Sequence, residues 1–174
     1  MLEIEVKIKI DQPKKIHEKL LSLKARLHKP RYYEENILYD FTDQKLTQKN
    51  QALRLRSIAH KNRLTYKGPL QKSRKFKIRN EYETEIKDKK QIQKILASLG
   101  LKQIFLYQKF RTEYRSKKLK ICLDETKAGL FLEFEGQRED IVTFAKKMGF
   151  SKKDFIKADY VSLIKEAENK TETN

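Results

Sequence analysis

Glu3, Glu5 and Lys7 stand two residues apart in the stretch EIEVK near the start of the chain. The same spacing returns as Arg54 and Arg56, as Thr65 and Lys67, as Arg79, Glu81, Glu83 and Glu85, as Lys109, Arg111 and Glu113, and as Glu133 and Glu135. Asp124 stands alone on its own stretch. Arginine grips phosphate bidentately and lysine meets it as a point charge, so these basic residues suit a polyphosphate. Carboxylates cannot bind phosphate directly. They can hold Mg²⁺ or Mn²⁺, hard ions that prefer oxygen ligands, and such an ion bridges to phosphate oxygens. Glu3, Glu5, Glu133 and Glu135 form that kind of ligand set if their strands are neighbours or face each other.

A spacing of two puts side chains on one face of a β-strand. The residues between the charged ones are apolar: Ile4 and Val6, Leu53 and Leu55, Leu64 and Tyr66, Ile78 and Tyr82, Ile121 and Leu123, Leu132 and Phe134. The pattern predicts strands at 2–10, 31–41, 52–60, 63–69, 76–86, 103–115, 119–125 and 130–136, with Lys61 and Asn62 as a tight turn. Tyr33, Ile37, Tyr39 and Phe41 mark one side of the second strand. Helical spacing predicts helices over 14–27, 89–99, 138–148 and 154–168. Pro13 sits at a helix entry, Pro30 is expected to stop the first helix, and Gly100 and Gly149 to end two others. Residues 42–51 read as a polar connection. With no linker or composition break, residues 1–168 read as one domain and 169–174 as a disordered tail.

Eight short-linked strands, each with one polar face, predict an α+β fold built on a closed antiparallel barrel. Two arrangements are open. The apolar faces could fill the barrel with the charges in water, or the charges could line a tunnel with helices covering the outside. The tunnel fits better. The four helices are amphipathic and need an apolar surface to cover, and acids alternate with bases along one face as a self-neutralising lumen requires. Removing Glu3 or Glu5 from a cluster of like charges would then leave stability unchanged or raised.

The chain has 174 residues, 38% apolar and 37% charged, with nine Phe, eight Tyr and a net charge of +17. That balance fits a packed domain attracted to polyanions: nucleic acid, anionic membrane or a phosphorylated small molecule. No apolar run reaches the roughly 20 residues of a membrane span, and no leader precedes the first strand, so a cytoplasmic location is expected. Cys122 is the only cysteine, which excludes an internal disulfide and a cysteine metal cage. His17, His28 and His60 are isolated and read as ordinary histidines. The basic residues are interleaved with acids on strands, not gathered on one helix beside stacking aromatics, which argues against nucleic acid.

EIEVK resembles the ExExK signature of the CYTH proteins, the triphosphate tunnel metalloenzymes. ALRLR, LTYKGP, RNEYETEI, KFRTEYR, LDETKAGLFLEFEG and DYVSLI resemble further family segments in order, over nearly the whole chain. The resemblance implies an eight-stranded tunnel that holds a triphosphate with Mg²⁺ or Mn²⁺. It implies Glu3, Glu5, Glu133 and Glu135 as metal ligands, and Lys7, Arg54, Arg56, Lys67, Lys109 and Arg111 as triphosphate ligands. It implies Thr65, Arg79, Glu83 and Glu85 as tunnel lining, and Lys7, Asp124 and Glu81 as catalytic candidates. Glu113 and Arg115 read as a cross-strand ion pair. The chain is most similar to the class IV adenylyl cyclase-like branch, which implies conversion of ATP to cyclic AMP and pyrophosphate. Hydrolysis of tripolyphosphate or thiamine triphosphate is the alternative enzyme reading, and a non-catalytic polyanion-binding module the alternative of another class. Oligomeric state is left open, a dimer included.

Overall fold

The computed structural model describes residues 2–172. It contains strands β1 (Leu2–Ile10), β2 (Arg26–Asp40), β3 (Ala52–Ile58), β4 (Lys61–Lys67), β5 (Lys77–Ile86), β6 (Lys102–Ser116), β7 (Leu119–Thr126) and β8 (Gly129–Glu135). The helices are α1 (Pro13–Ser22), α2 (Lys45–Gln48), α3 (Lys89–Ser98), α4 (Arg138–Met148) and α5 (Tyr160–Glu172). The strands close into a barrel in the order β1-β5-β4-β3-β2-β6-β7-β8. This is the expected α+β barrel. Residues 173–174, the end of the expected tail, lie outside the described residues, and α5 runs past residue 168.

The chain packs as two units. One holds Tyr33–Gln71 and Arg79–Gln108; the other holds Glu3–Tyr32, Lys72–Ile78 and the chain from Lys109 onward. In the second unit Val6, Ile8, Tyr114, Ile121, Leu132 and Phe134 pack with Leu20 of α1 and with Ile141, Phe144 and Ala145 of α4. In the first, Ile37, Tyr39 and Leu55 pack with Leu96 of α3. In each unit helices cover the apolar strand faces. Burial of such side chains is worth roughly 1.5–3 kcal/mol apiece. The charged residues fall on the other face of the same strands, and many are nonetheless buried: Glu5, Lys7, Lys109, Arg111, Asp124 and Glu133 in the second unit, Lys67 and Arg79 in the first.

Several boundaries differ from expectation for local reasons. Helix α1 ends at Ser22, and Leu27 and Pro30 belong to β2. The stop is Lys24, which takes φ +61°. Ala25 N–H then donates to Leu20 O at 3.0 Å and Lys24 N–H to Leu21 O at 2.9 Å, with Leu20 and Ala25 both buried. This Schellman closure needs a left-handed residue, usually glycine. Gly100 and Gly149 do take that position after α3 and α4, at φ +84° and +93°. The β3–β4 turn is Ala59-His60, because Ile58 pairs with Lys61. The polar connection holds α2, whose first-turn N–H groups are met by Asp40: Leu46 and Thr47 donate to its carboxylate at 3.0 and 2.9 Å. The last helix starts at Tyr160. Before it, Ile156 exchanges two backbone hydrogen bonds with Lys7 of β1, and Asp159 accepts from Ser162 N–H at 2.9 Å.

Candidate functional site

In the second unit, register assembles a charged cluster from four strands. Lys7 of β1 faces Glu133 of β8, and Arg111 of β6 faces Asp124 of β7. Lys7 Nζ lies 3.1 Å from Glu5 and 3.2 Å from Glu133. Arg111 donates through Nε and Nη2 to the two oxygens of Asp124, each at 2.6 Å, and through Nη2 to Glu133 at 2.7 Å. Lys109 Nζ donates to Asp124 at 2.9 Å. Tyr160, opening α5, donates its hydroxyl to Asp124 Oδ2 at 2.5 Å. The ammonium groups of Lys7 and Lys109 lie 4.9 and 4.5 Å from the centre of its ring. Lys77, at the start of β5, comes to 3.6 Å from Glu5 and 3.8 Å from Asp159. At the margin Lys120 pairs with Glu135 at 2.8 Å. Glu3 is half-buried on the same β1 face.

The first unit carries its own cluster. Arg54 Nη2 stands 3.9 Å from both Glu81 and Glu83 and 3.4 Å from the Thr65 hydroxyl, which itself donates to Glu83 at 2.9 Å. Lys67 pairs with Glu81 at 2.5 Å. Arg56 donates through Nε to Asn36 at 2.9 Å and lies 3.3 Å from Glu34. Arg79 is buried, while Glu85 is exposed, opposite Arg63 in register.

Charges this deeply buried survive only when paired. Burial alone would lower the pKa of Lys7, but the Glu5 and Glu133 carboxylates outweigh it and hold it above the ordinary lysine value. Burial would raise the carboxyls of Asp124 and Glu133. Arg111 and Lys109 beside Asp124, and Arg111 and Lys7 beside Glu133, hold both below their ordinary values, Glu133 well below. Burial and the Asp124 carboxylate push the Tyr160 hydroxyl well up, so it stays a neutral donor. Burial pushes the Cys122 thiol up to about 12, which keeps it out of nucleophilic chemistry.

The lowered carboxyls make stability pH-dependent with a definite sign. The folded chain binds fewer protons than the unfolded one in acid, so stability rises with pH there. Their contribution is complete above the unfolded carboxylate values near about 4. It is lost as pH falls through the lowered native values. Urea midpoints measured from pH 7 down to pH 2 should fall steeply below about pH 4.

A divalent cation would find oxygen donors here. Glu5 and Glu133 both lie within 3.2 Å of one ammonium, so the pair already converges on a cation. Oxygen-only donors suit Mg²⁺ or Mn²⁺. Among the described residues no group of three or more Asp, Glu, His or Cys converges further. The Glu5 carboxylate also lies near two ammoniums, Lys7 at 3.1 Å and Lys77 at 3.6 Å. This reverses the stability expectation for its removal, because two buried ammoniums lose an acceptor. Glu5→Ala should destabilise the chain by about 1–3 kcal/mol, checked by urea denaturation.

Sequence spacing identified most of the charged face but missed Glu34, Asn36, Lys77, Lys120 and Tyr160. Lys77 extends the two-residue series of Arg79 backward, so that signal was present. The Glu113–Arg115 pair, at 3.0 Å, runs along β6 and not across strands; His28 and Lys29 also approach Glu113, at 3.7 and 3.8 Å.

Among the described residues no helix is long and apolar enough to cross a membrane. A family model, the CYTH domain, matches residues 1–159. A provisionally named adenylate cyclase of Methanocaldococcus jannaschii is 30% identical over 174 residues, covering 94% of this chain and 98% of its own. Among solved structures, a provisionally named adenylate cyclase from Vibrio parahaemolyticus superposes with a TM-score of 0.85 at 21% identity, covering 95% of this chain and 98% of its own. A Hippeastrum protein described as having a dominant triphosphatase activity superposes at 0.70 with 19% identity, covering 95% of each chain. With the family match spanning most of its length and the barrel to support it, the chain belongs to the CYTH domain family.

Proposed function

We propose that the chain is a divalent-metal-dependent enzyme on a triphosphate-containing small molecule, converting ATP to cyclic AMP and pyrophosphate. The observation that carries this reading is the buried basic face. Lys7, Lys109 and Arg111 are each 3% exposed, and they sit on the strand face turned away from the apolar core. Such cations meet phosphate oxygens without competition from bulk water, where charge-assisted hydrogen bonds are strong. The name of the 30% identical relative supports cyclisation. Hydrolysis is the second reading, since tripolyphosphate presents the same three phosphates and the Hippeastrum protein joins this fold to triphosphatase activity.

In either reaction the protein contributes mainly position and charge. Lys7, Lys109 and Arg111 are the proposed phosphate ligands of one unit, Arg54, Arg56 and Lys67 those of the other. Glu5 and Glu133, with Glu3 and Glu135 beside them, would hold the metal, which neutralises phosphate charge when bound. In cyclisation the ribose 3′-oxygen bonds to the α-phosphorus as its bond to the bridging oxygen breaks. The hydroxyl proton passes to water, and pyrophosphate carries away the electron pair of the broken bond. Lys7, held protonated, can neutralise charge on the departing group. Asp124 has its oxygens occupied by Arg111, Lys109 and Tyr160, so it acts as a positioning residue for those cations. Glu81 does the same for Lys67. The test is a product assay of ATP, tripolyphosphate and thiamine triphosphate, each with Mg²⁺ or Mn²⁺. Cyclic AMP and pyrophosphate from ATP are expected. Orthophosphate alone would replace cyclisation with hydrolysis, and no turnover of any of the three would leave a binding module.

A further inference from the structure

Asn36 is fully buried, and only one end of its amide is accounted for. Its Oδ1 accepts from Arg56 Nε at 2.9 Å. Its Nδ2 has no hydrogen-bond partner among the described residues. Flipping the amide does not cure this, because a guanidinium offers only donors. The carbonyl must face Arg56 and the NH2 must face elsewhere. Buried donors without acceptors are rare in folded proteins, and each calls for an explanation.

The surroundings supply one. Asn36 lies directly opposite Arg56 in the β2–β3 register, and Arg54 is two residues along β3 on the same face. Glu34 turns toward Arg56 Nη1 at 3.3 Å, on the guanidinium's other arm. A neutral donor therefore stands beside a cationic one, both on residues with little or no solvent contact. That pairing is complementary to an anionic oxygen, which can accept from both.

We infer that Asn36 is a substrate-binding residue that donates its Nδ2–H to a phosphate oxygen also held by Arg56. The inference rests on the triphosphate reading above. Asn36 escapes a search for charged spacing because it carries no charge.

Two variants separate this role from a structural one. Asn36→Asp keeps an oxygen facing Arg56, removes the donor and adds a negative charge. Asn36→Leu removes the donor without adding a negative charge. Tripolyphosphate and ATP affinities are measured by calorimetry on the full chain, with a thermal melt of each free protein. The melts show that each variant is folded at the titration temperature. Both variants should bind tripolyphosphate and ATP at least about tenfold more weakly, the scale of one hydrogen bond to a charged group. Tripolyphosphate affinity within about threefold of wild type in either variant overturns the assignment. Loss of ATP affinity alone also overturns it, by moving Asn36 to the nucleoside. Should the wild type bind neither ligand, the triphosphate reading fails first and the role of Asn36 falls with it.

Discussion

Asp124→Ala should destabilise the folded chain by about 3–5 kcal/mol, the cost of breaking a buried ion pair from one side. Asp124 is fully buried and accepts from Arg111 twice, from Lys109 and from Tyr160. Its removal leaves Lys109 and Arg111 in place, each 3% exposed, with water unable to replace the lost acceptor. Arg111 keeps Glu133 at 2.7 Å. Asp124→Asn should fall between the two, because an amide oxygen still accepts but carries no charge. Urea denaturation of the three proteins at pH 7 gives the order. Under the triphosphate reading, added tripolyphosphate should recover part of the stability of Asp124→Ala, since phosphate oxygens can take the place of the carboxylate. Equal midpoints for wild type and Asp124→Ala would mean that the Asp124 network does not hold this part of the barrel together.

The charged face was legible because a strand has an unambiguous period of two, and β1, β3, β5, β6 and β8 show that period in charged residues. β2 hid its face. Its apolar side, Ile37 and Tyr39, was evident, but on the opposite side Leu38 falls between Asn36 and Asp40 and breaks the polar series. On β7, Cys122 separates Lys120 from Asp124 in the same way. Tyr160 lies outside any strand, so no periodicity could place it. It reaches Asp124 only because the segment before α5 pairs with β1 at Lys7 and Asp159 then starts the helix.

Element ends were legible where glycine marked them and misread where another residue took its conformation. Gly100 and Gly149 gave the ends of α3 and α4, but Lys24 and Ala59 adopt φ of +61° and +49° with no sequence signal. Lysine and alanine are unusual there, so their tertiary setting decides: Lys24 is held between the buried Leu20 and Ala25, and Ala59 by a β3–β4 register fixed along both strands. The reversal for Glu5 has a similar origin. Sequence places Glu3, Glu5 and Lys7 on one strand face, but only packing brings Lys77 to the Glu5 carboxylate.

Arg56→Ala should weaken tripolyphosphate binding roughly 10–100-fold, whereas Lys90→Ala should leave it nearly unchanged. One charge-assisted contact is worth about 1.5–3 kcal/mol, which gives that range. The Arg56 side chain is 13% exposed, and its guanidinium is fixed by Asn36 and Glu34. A fixed, poorly solvated donor loses little freedom on binding and is weakly screened. Lys90, in the first turn of α3, is exposed, and its field decays within a Debye length of about 8 Å at physiological salt. Removing Arg56 also leaves Glu34, which is fully buried, with one cation fewer nearby. The free protein should therefore lose stability as well, and affinity must be measured below its unfolding transition. Titrations at two salt concentrations separate contact from bulk attraction. The Arg56→Ala deficit should persist in high salt, because screening acts weakly on a buried contact. If both variants lose affinity equally and both losses vanish in high salt, the +17 charge acts as a diffuse field. A phosphate cradle at Arg56 would then be wrong, and a non-catalytic polyanion-binding module would become the better account of this chain.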